Sequence, residues 1–377
     1  MDNILYKGKF GLERETLRID KNGALAGTPH PFAPDEHITR DFCENQVELI
    51  TPVCSSIDEV LFELKKLDDR TAKTLSKQGE KLWLYSNPPH IENEDDIPIA
   101  VFKGAQSAKS DYRHALKLRY GKRLMLLSGI HFNFSFSSEF LDDLSGNKAD
   151  RVFTDALYLR LYKQLMRHSF VLVLLTSQSA YYDRSFDKDG DKGVVLSKYS
   201  SVRNSERGYF NPFVPILDHT DIESFCGSID EYIQKGMLFS ASELYLPVRM
   251  KPKGENSLAA LRNNGVDHIE LRMFDLDPKA PLGIDYRNLK FAYLLMIYLL
   301  TLPDFEFTEE LQKQAIADHQ KAALLYPDAG IVKRAETILS KMSEHFSDSS
   351  DAKAVIDYES SKLYRNVEDR FENYYRG

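Results

Sequence analysis

Two acidic side chains lie close together near the start of the chain, in the stretch FGLERETLRID. Glu13 and Glu15 are separated by one residue in a segment whose other residues favour a β-strand. Alternate side chains of a strand point to the same face, so both carboxylates would project together, about 7 Å apart. Parallel carboxylates repel each other unless cations or donors lie between them. The pair indicates either a cation-binding face or a solvated strand whose charge is balanced by Arg14 and Arg18.

Other segments carry reactive side chains in the same alternating pattern. Apolar and polar residues alternate in GIHFNFSFS (129–137), ELYLPVRMK (243–251) and DHIELRMF (267–274), which predicts strands with one apolar and one polar face. Solvated faces usually carry Lys, Thr, Ser and Gln, whereas these polar positions hold acids, bases, imidazole and phenol. We interpret these positions, together with the acids of two other segments, as the lining of a cavity. The lining residues are Glu13, Glu15, Glu48, His131, Tyr245, Arg249, Glu270 and Arg272.

The segment TRDFCENQVELITPV (39–53) adds Asp41 and Glu48. If residues 44–50 are extended, Glu48 shares a face with Glu44 and Gln46, while the intervening residues pack inward. Carboxylate oxygens with one imidazole and no sulfur suit magnesium or manganese better than zinc. The sequence therefore predicts divalent-metal ligands, which are Glu13, Glu15, Glu48, His131 and Glu270.

The elements that would position these residues indicate an α+β fold. Helices are predicted from Ile57 after a possible capping box, over about 149–175, over 291–302 and through most of the chain after Pro303. The strict strand–helix–strand order of a parallel sheet is missing. We expect an antiparallel sheet that forms a funnel-like active site, with helices packed on its apolar side.

Composition narrows the classes of function. The 377 residues are 42% hydrophobic, carry a formal charge of −8 and contain no basic patch for nucleic acid. Three cysteines without CxxC spacing argue against a disulfide framework and against structural zinc. The N-terminus lacks the apolar core of a signal peptide, and the most apolar run, 291–302, is too short to span a bilayer. We expect a cytoplasmic protein that acts on small molecules, without nucleic-acid or membrane partners.

Metals held by several acids are suited to neutralising nucleotide phosphates and a developing acyl phosphate. The sequence has no GxxxxGK[ST] loop, no GxGxxG and no kinase signature. Carboxylate-held metals would therefore have to hold the phosphates of any bound ATP.

Seven segments resemble the bacterial glutamate–cysteine ligase family. They occur in family order between residue 8 and about residue 303: GLERETLRI, TRDFCENQVELITP, YRHALKLRYG, LLSGIHFNFSF, SSVRNSERGY, ELYLPVRMKP and GVDHIELRMFDLDP. The resemblance implies a fold related to the catalytic sheet of glutamine synthetase. It also implies ATP-dependent joining of the glutamate γ-carboxyl to the cysteine amine through γ-glutamyl phosphate. The products would be γ-glutamylcysteine, ADP and phosphate, as in the first step of glutathione biosynthesis.

The resemblance also implies roles for individual residues. The positions that match the family's magnesium cluster are Glu13, Glu15, Glu48, His131 and Glu270. The positions that match its cysteine site are Asp41, Tyr112, Arg203, Tyr209 and Tyr245. Arg272 matches a guanidinium that contacts the ATP phosphates, and Asp41 would orient or deprotonate the incoming ammonium. Magnesium, or alternatively manganese, would be the cofactor and ATP the co-substrate. Arg113 and Arg119 fit a helix surface as well as a site, so we assign them no role.

Two departures from the family pattern leave alternatives open. Residues 304–377 match no family segment, so we expect one catalytic domain, 1–377, with a helical C-terminal region of undetermined role. LLTSQSAYYD (174–183) stands where the family has a small Gly/Ala-Ser-Pro turn, which affects the shape of the substrate pocket. A γ-glutamyl ligase for another amine or amino acid is therefore one alternative, and a binding paralogue without catalysis is another.

Overall fold

The structure is a computed structural model, and it describes residues 7–104, 107–188, 190–365 and 371. An antiparallel sheet forms its centre. Within these ranges the sheet has seven strands, in the order β2-β3-β1-β5-β9-β8 with β4 paired to the end of β1. They are β1 (Gly8–Ile19), β2 (Ile38–Arg40), β3 (Gln46–Ile50), β4 (Lys81–Trp83), β5 (Gly129–Phe136), β8 (Val248–Pro252) and β9 (Val266–Asp275). A separate hairpin consists of β6 (Tyr181–Asp183) and β7 (Val194–Leu196).

Helices account for most of the remaining regular structure. Within the same described ranges they are α1 (Ile57–Ser76), α2 (Ser107–Tyr120), α3 (Ser138–Ser145), α4 (Arg151–Thr176), α5 (Ile222–Gln234), α6 (Leu258–Asn264), α7 (Tyr286–Thr301), α8 (Glu309–Ala322), α9 (Ala329–His345) and α10 (Ser350–Ser361). The Ser56 hydroxyl caps α1 by accepting a hydrogen bond from the Glu59 amide. None of the helices in the part of the chain that the structure describes is long and apolar enough to cross a membrane.

The apolar face of the sheet packs against helices, which confirms the predicted α+β class. Phe132 and Phe134 of β5 are fully buried, and α4 packs against β8, β9, α7 and α8. Tyr293 of α7 meets Phe10 of β1 edge-on, with ring centroids 5.5 Å apart. Each buried aromatic or aliphatic side chain of this kind contributes about 1.5–3 kcal/mol. This packing fixes the sheet and leaves its opposite face free to carry polar groups.

Arg14 and Arg18 belong to the core face of β1, so they do not neutralise the acids on the other face. Both are fully buried. Arg14 pairs with Asp68 of α1 and donates to the Leu282 carbonyl at 3.1 Å. Arg18 lies 2.5 Å from a Glu80 carboxylate oxygen. The proposal that these arginines only balance Glu13 and Glu15 is therefore wrong.

Two predicted strand boundaries also need correction. The strand predicted at 243–251 begins only at Val248, because a short 3₁₀ turn covers Ala241–Glu243 and Pro247 follows it. Glu44 lies before β3, where it pairs with Arg40 at 2.7 Å instead of facing Glu48. After Pro303 the chain is helical as predicted, in α8, α9 and α10.

Candidate active site

The strand register brings acids from three strands and a histidine from a fourth into one group on the polar face of the sheet. Glu13 of β1 lies opposite His131 of β5, and Glu15 lies opposite Glu48 of β3. Glu270 of β9 lies opposite Asn133 of β5, one pleat from His131. Side chains directly opposite on an antiparallel pair have Cβ atoms about 5 Å apart. Alternation within each strand sets the face of these side chains, and the register between the strands places them together.

Glu13, His131 and Glu270 form the tightest part of this group. One ligand atom of each lies within 4.8 Å of the others. His131 Nδ1 is 3.3 Å from Glu13 Oε2 and 3.6 Å from Glu270 Oε1. The Asn133 amide donates to Glu13 Oε1 at 3.0 Å. Two carboxylates and one imidazole make a hard donor set that fits magnesium or manganese.

Three cations surround Glu270, which is completely buried. Arg272 Nη1 lies 2.9 Å from Glu270 Oε2, and Lys251 Nζ lies 3.1 Å from Oε1. Burial alone would raise the pKa of Glu270, but Lys251, Arg272 and Arg249 hold it well below its usual range. Glu13 behaves in the same way: burial opposes ionisation, but the hydrogen bond from His131 and the charge of Lys251 lower its pKa to about 2. Both carboxylates are therefore ionised at neutral pH.

The pKa values of Glu15 and Glu48 are shifted in the opposite direction, upwards. Burial and the charge of Asp41 raise the pKa of Glu15 to about 8, although Arg203 and Arg272 act against the rise. Burial and the charges of Asp41 and Glu13 raise the pKa of Glu48 well above its usual range. This end of the group holds more acid than the surrounding cations can balance, so an additional cation would stabilise the ionised carboxylates.

A cavity beside these acids brings together four of the residues predicted to bind substrates. It is partly open to solvent, and its wall includes Arg203, Tyr209, Tyr245 and Arg272. The rings of Tyr209 and Tyr245 are 5.6 Å apart. Arg203 is buried, and its Nε has no hydrogen-bond partner among the described residues. Arginine and phenol groups that converge on a cavity are suited to binding a carboxylate.

Two glycines allow the backbone to approach Arg203. A Cβ atom on Gly129 would lie 2.4 Å from Arg203 Cζ, so the guanidinium occupies the space that a side chain would fill. A Cβ atom on Gly208 would lie 1.8 Å from the Arg203 carbonyl oxygen, within the tight turn that follows Arg203. The SSVRNSERGY segment therefore folds back closely on itself, and it directs Arg203 towards β5.

Asp41 and Tyr112 lie beside the cavity, outside its lining. Tyr112 packs on the same apolar cluster as Tyr209 and Tyr245, and burial raises its pKa to about 12. Asp41 is half-buried, and its carbonyl oxygen accepts a hydrogen bond from Arg113 Nε. Of the two alternatives left open for Arg113, the structure excludes a helix-surface charge, because Arg113 is buried with its guanidinium 4.5 Å from the Phe102 ring.

Arg119 also has a defined partner, since it pairs with buried Glu243.

The turn at residues 177–179 is bonded to the end of β9, where Asp275 Oδ2 accepts hydrogen bonds from the Gln178 amide and the Ser179 hydroxyl, each at 2.8 Å. The sequence analysis did not identify Asn133 as a partner of Glu13 or Lys251 as a partner of Glu270. Both residues lie on the polar faces of predicted strands, and that position could have indicated them.

The chain matches a family model described as glutamate–cysteine ligase over residues 1–322, a range that includes α8. A bifunctional glutathione biosynthesis protein (GshAB) from Listeria welshimeri is 38% identical over 338 residues, which cover 85% of this chain and 43% of that protein. A glutamate–cysteine ligase from Clostridium acetobutylicum is 31% identical over 376 residues, which cover 86% of this chain and 78% of that protein. The chain thus spans less than half the length of its bifunctional relatives.

Solved structures show the same fold. A Francisella tularensis glutamate–cysteine ligase in complex with AMP superposes with a TM-score of 0.84 at 23% identity, covering 95% of this chain and 82% of that one. A bifunctional glutathione synthetase from Pasteurella multocida also gives 0.84, at 24% identity, covering 97% of this chain and 50% of that one. The family match and the Clostridium acetobutylicum relative show that the chain belongs to the glutamate–cysteine ligase family.

Proposed function

We propose that this chain joins the γ-carboxyl group of glutamate to the amine of cysteine while ATP is converted to ADP and phosphate. One observation carries the proposal. In a chain of this family, a cluster of Glu13, His131 and Glu270 lies against Arg272, which also lines the cavity with Arg203. The site for a phosphorylated intermediate and the site for an amino acid would then share one wall.

The reaction needs activation because a carboxylate does not accept an amine at neutral pH. A γ-carboxylate oxygen of glutamate attacks the γ-phosphorus of ATP, ADP leaves, and γ-glutamyl phosphate forms. The cysteine amine then attacks the acyl carbon, and phosphate leaves as the amine loses its proton. Arg272 would stabilise the negative charge on the phosphoryl group during transfer, since its guanidinium is fixed by Glu270.

The donor set fits the divalent cations that this chemistry requires. Glu13, His131 and Glu270 would hold one cation, and the excess of acid at Glu15 and Glu48 would favour another. When bound, such cations neutralise the phosphates of ATP and the developing acyl phosphate. The AMP complex of the Francisella relative supports an adenine nucleotide as the co-substrate of this chain.

On the other side of the cavity we place the acceptor amino acid. Arg203 would bind its carboxylate through two guanidinium nitrogens, and Tyr112, Tyr209 and Tyr245 would surround it. Asp41 would orient the ammonium group and accept its proton. We further propose that residues 1–377 act as one catalytic domain. We place its reaction in the cytoplasm, because all three cysteines are free and buried, as expected in a reducing compartment.

The test is ADP release in the presence of ATP, Mg²⁺ and glutamate, with and without cysteine, with the product identified by mass spectrometry. We expect γ-glutamylcysteine to form only when both amino acids are present. Glutamate-dependent ADP release without that dipeptide would indicate another amine acceptor. The absence of ADP release under every combination would contradict the proposed function.

A further inference from the structure

The loop that carries Arg203 is held by the C-terminal part of the chain. We define the Arg203 loop as residues 197–209. At its base, the Ser200 amide donates to the Ala323 carbonyl at 2.8 Å, and the Leu325 amide donates to the Lys198 carbonyl at 2.8 Å. Ala323 and Leu325 directly follow α8. The end of α8 therefore pairs with the loop through the backbone.

A side-chain link reaches further along the loop, next to Arg203 itself. His319 of α8 is 2% exposed, and its Nε2 lies 3.3 Å from Asn204 Oδ1. Its Nδ1 lies 3.0 Å from the Ser169 hydroxyl of α4. The Asn204 amide group donates to Ser201 Oγ at 2.9 Å and to the Met273 carbonyl at 2.8 Å. Asn204 is thus fixed between α8, the loop base and β9.

These partners determine the state of His319. The amide oxygen Oδ1 of Asn204 can only accept a hydrogen bond, so His319 Nε2 carries the proton. Nδ1 then accepts from the hydroxyl of Ser169, which shares its one proton with the Met166 carbonyl at 3.2 Å. Burial and the nearby charge of Arg203 lower the pKa of His319 to about 3, which keeps the ring neutral. Since both nitrogens are occupied, the ring contributes neither an acid nor a base to the reaction.

His319 and Asn204 line the same cavity as Arg203, Tyr209 and Tyr245. We propose that His319 is a positioning residue for Arg203: by holding Asn204 it fixes the guanidinium that binds the acceptor amino acid, and α8 thereby becomes part of the acceptor site. This inference rests on the proposed function. It assigns a role to a region whose sequence, taken alone, predicted only helices.

The test compares three variants. His319→Phe keeps a ring beside Phe210 but loses both hydrogen bonds, and His319→Gln restores an amide donor. His219→Phe is the matched control, because it makes the same substitution in a histidine stacked on Tyr162 that does not contact Asn204. We expect His319→Phe to raise the KM for cysteine about tenfold, because only the lost bond to Asn204 bears on Arg203 and one buried hydrogen bond accounts for about that factor. The KM values for glutamate and ATP should stay within about twofold, His319→Gln should recover most of the loss, and the control should match the wild type.

Hydrogen exchange supplies a readout that does not depend on activity. The amides of Ser205, Gly208 and Tyr209 bond within the Arg203 loop, so they should exchange faster in His319→Phe than in the wild type or His219→Phe. Amides of β5 should be unchanged. If His319→Phe does not fold, Ser169→Ala, which removes the other partner of His319, should show the same effects at smaller size.

The two proposals fail in different ways. A wild-type chain that does not join glutamate to cysteine contradicts the proposed function, and loop exchange still decides whether His319 holds Arg203. Unchanged exchange in His319→Phe overturns the inference even if the wild type is active. Equal increases in KM for all three substrates, together with a lowered unfolding temperature, would show that His319 only stabilises the fold, which also overturns it.

Discussion

Strand β1 carries charged side chains on both of its faces, and the two sets have different surroundings. On the core face, Arg14 and Arg18 are each paired with one acid, Asp68 and Glu80 respectively. On the cavity face, Glu13 and Glu15 meet further acids at Glu48 and Glu270, and the cations are gathered at one end around Glu270.

The difference separates charges that stabilise the fold from charges that we propose bind a ligand. A buried pair matched one to one is satisfied within the chain, and breaking it leaves an uncompensated charge in the core. Buried acids in excess, with pKa values displaced in opposite directions at Glu13 and Glu15, are typical of functional sites. Substitutions on the two faces should therefore have different consequences.

The largest effect is expected at Glu270 on the cavity face. Glu270→Gln keeps the size of the side chain but removes the charge that fixes Arg272 and contributes to the metal-type cluster. We expect the rate of glutamate-dependent ADP release to fall by at least about 100-fold, while the circular dichroism spectrum stays that of a folded chain. Wild-type turnover by this variant would contradict the assignment of the cluster.

The corresponding change on the core face is Glu80→Gln, which should affect stability instead of catalysis. Arg18 would lose its carboxylate partner in a fully buried position. We expect the free energy of unfolding, measured with urea, to fall by about 3–5 kcal/mol. The specific activity of the folded chain should stay within about twofold of the wild type. If Glu80→Gln lost activity but kept full stability, the two faces of β1 would not differ in the way we propose.

A smaller effect, dependent on pH, is expected for Glu15→Gln. The pKa of Glu15 rises from 4.5 to about 8 on folding, so between these values the folded chain binds this proton more tightly than the unfolded chain. The contribution of Glu15 to stability therefore falls as the pH rises through that window. The amide introduced by the substitution does not ionise, so in EDTA the variant should gain stability relative to the wild type from pH 5 to pH 8.

Unfolding measurements at several pH values, with and without Mg²⁺, check this expectation. Taking the difference between variant and wild type cancels the titration of the buried histidines. Mg²⁺ should reduce the advantage of the variant, because a bound cation stabilises the ionised carboxylate. A difference that does not change with pH would show that Glu15 is already ionised in the folded chain.

The smallest effect is expected for an ion pair that belongs to neither face. Lys7 and Glu139 are 2.6 Å apart, but both are exposed. Exposed pairs contribute little because water screens them and their side chains lose freedom on pairing. Lys7→Ala should change the free energy of unfolding by less than about 0.5 kcal/mol, as measured by urea denaturation. If Lys7→Ala lowered the free energy of unfolding as much as Glu80→Gln, burial would not explain why one ion pair stabilises the fold more than the other.

Much of the site could be predicted because side-chain alternation is a local property. In β5, residues Ile130 to Phe136 alternate as the sequence indicates, and this alone assigns His131 to the polar face. Alternation likewise assigns Glu270 and Arg272 of β9 to the polar face. Periodicity was less reliable before β8, where Pro247 and the preceding 3₁₀ turn interrupt the strand, so Tyr245 reaches the cavity from a loop.

The remaining features depend on contacts between distant segments. Arg113 lies on a helix with many charges, and its contacts with the Phe102 ring and the Asp41 carbonyl show that it points inward. His319 and Asn204 are 115 positions apart in sequence. Asn204 lies in the SSVRNSERGY segment, but nothing in that segment indicates a contact with His319. Local propensity and spacing carry no information about such pairs, since tertiary packing decides them.

The most direct test of the account is X-ray diffraction at a wavelength where manganese scatters anomalously, from crystals of the whole chain grown with Mn²⁺ and a non-hydrolysable ATP analogue. We predict an anomalous peak bounded by Glu13, His131 and Glu270, on the cavity face of the sheet. Ordered nucleotide without such a peak, or a peak only at other residues, would contradict the claim that the excess of acid on this face exists to bind metal and, through it, ATP.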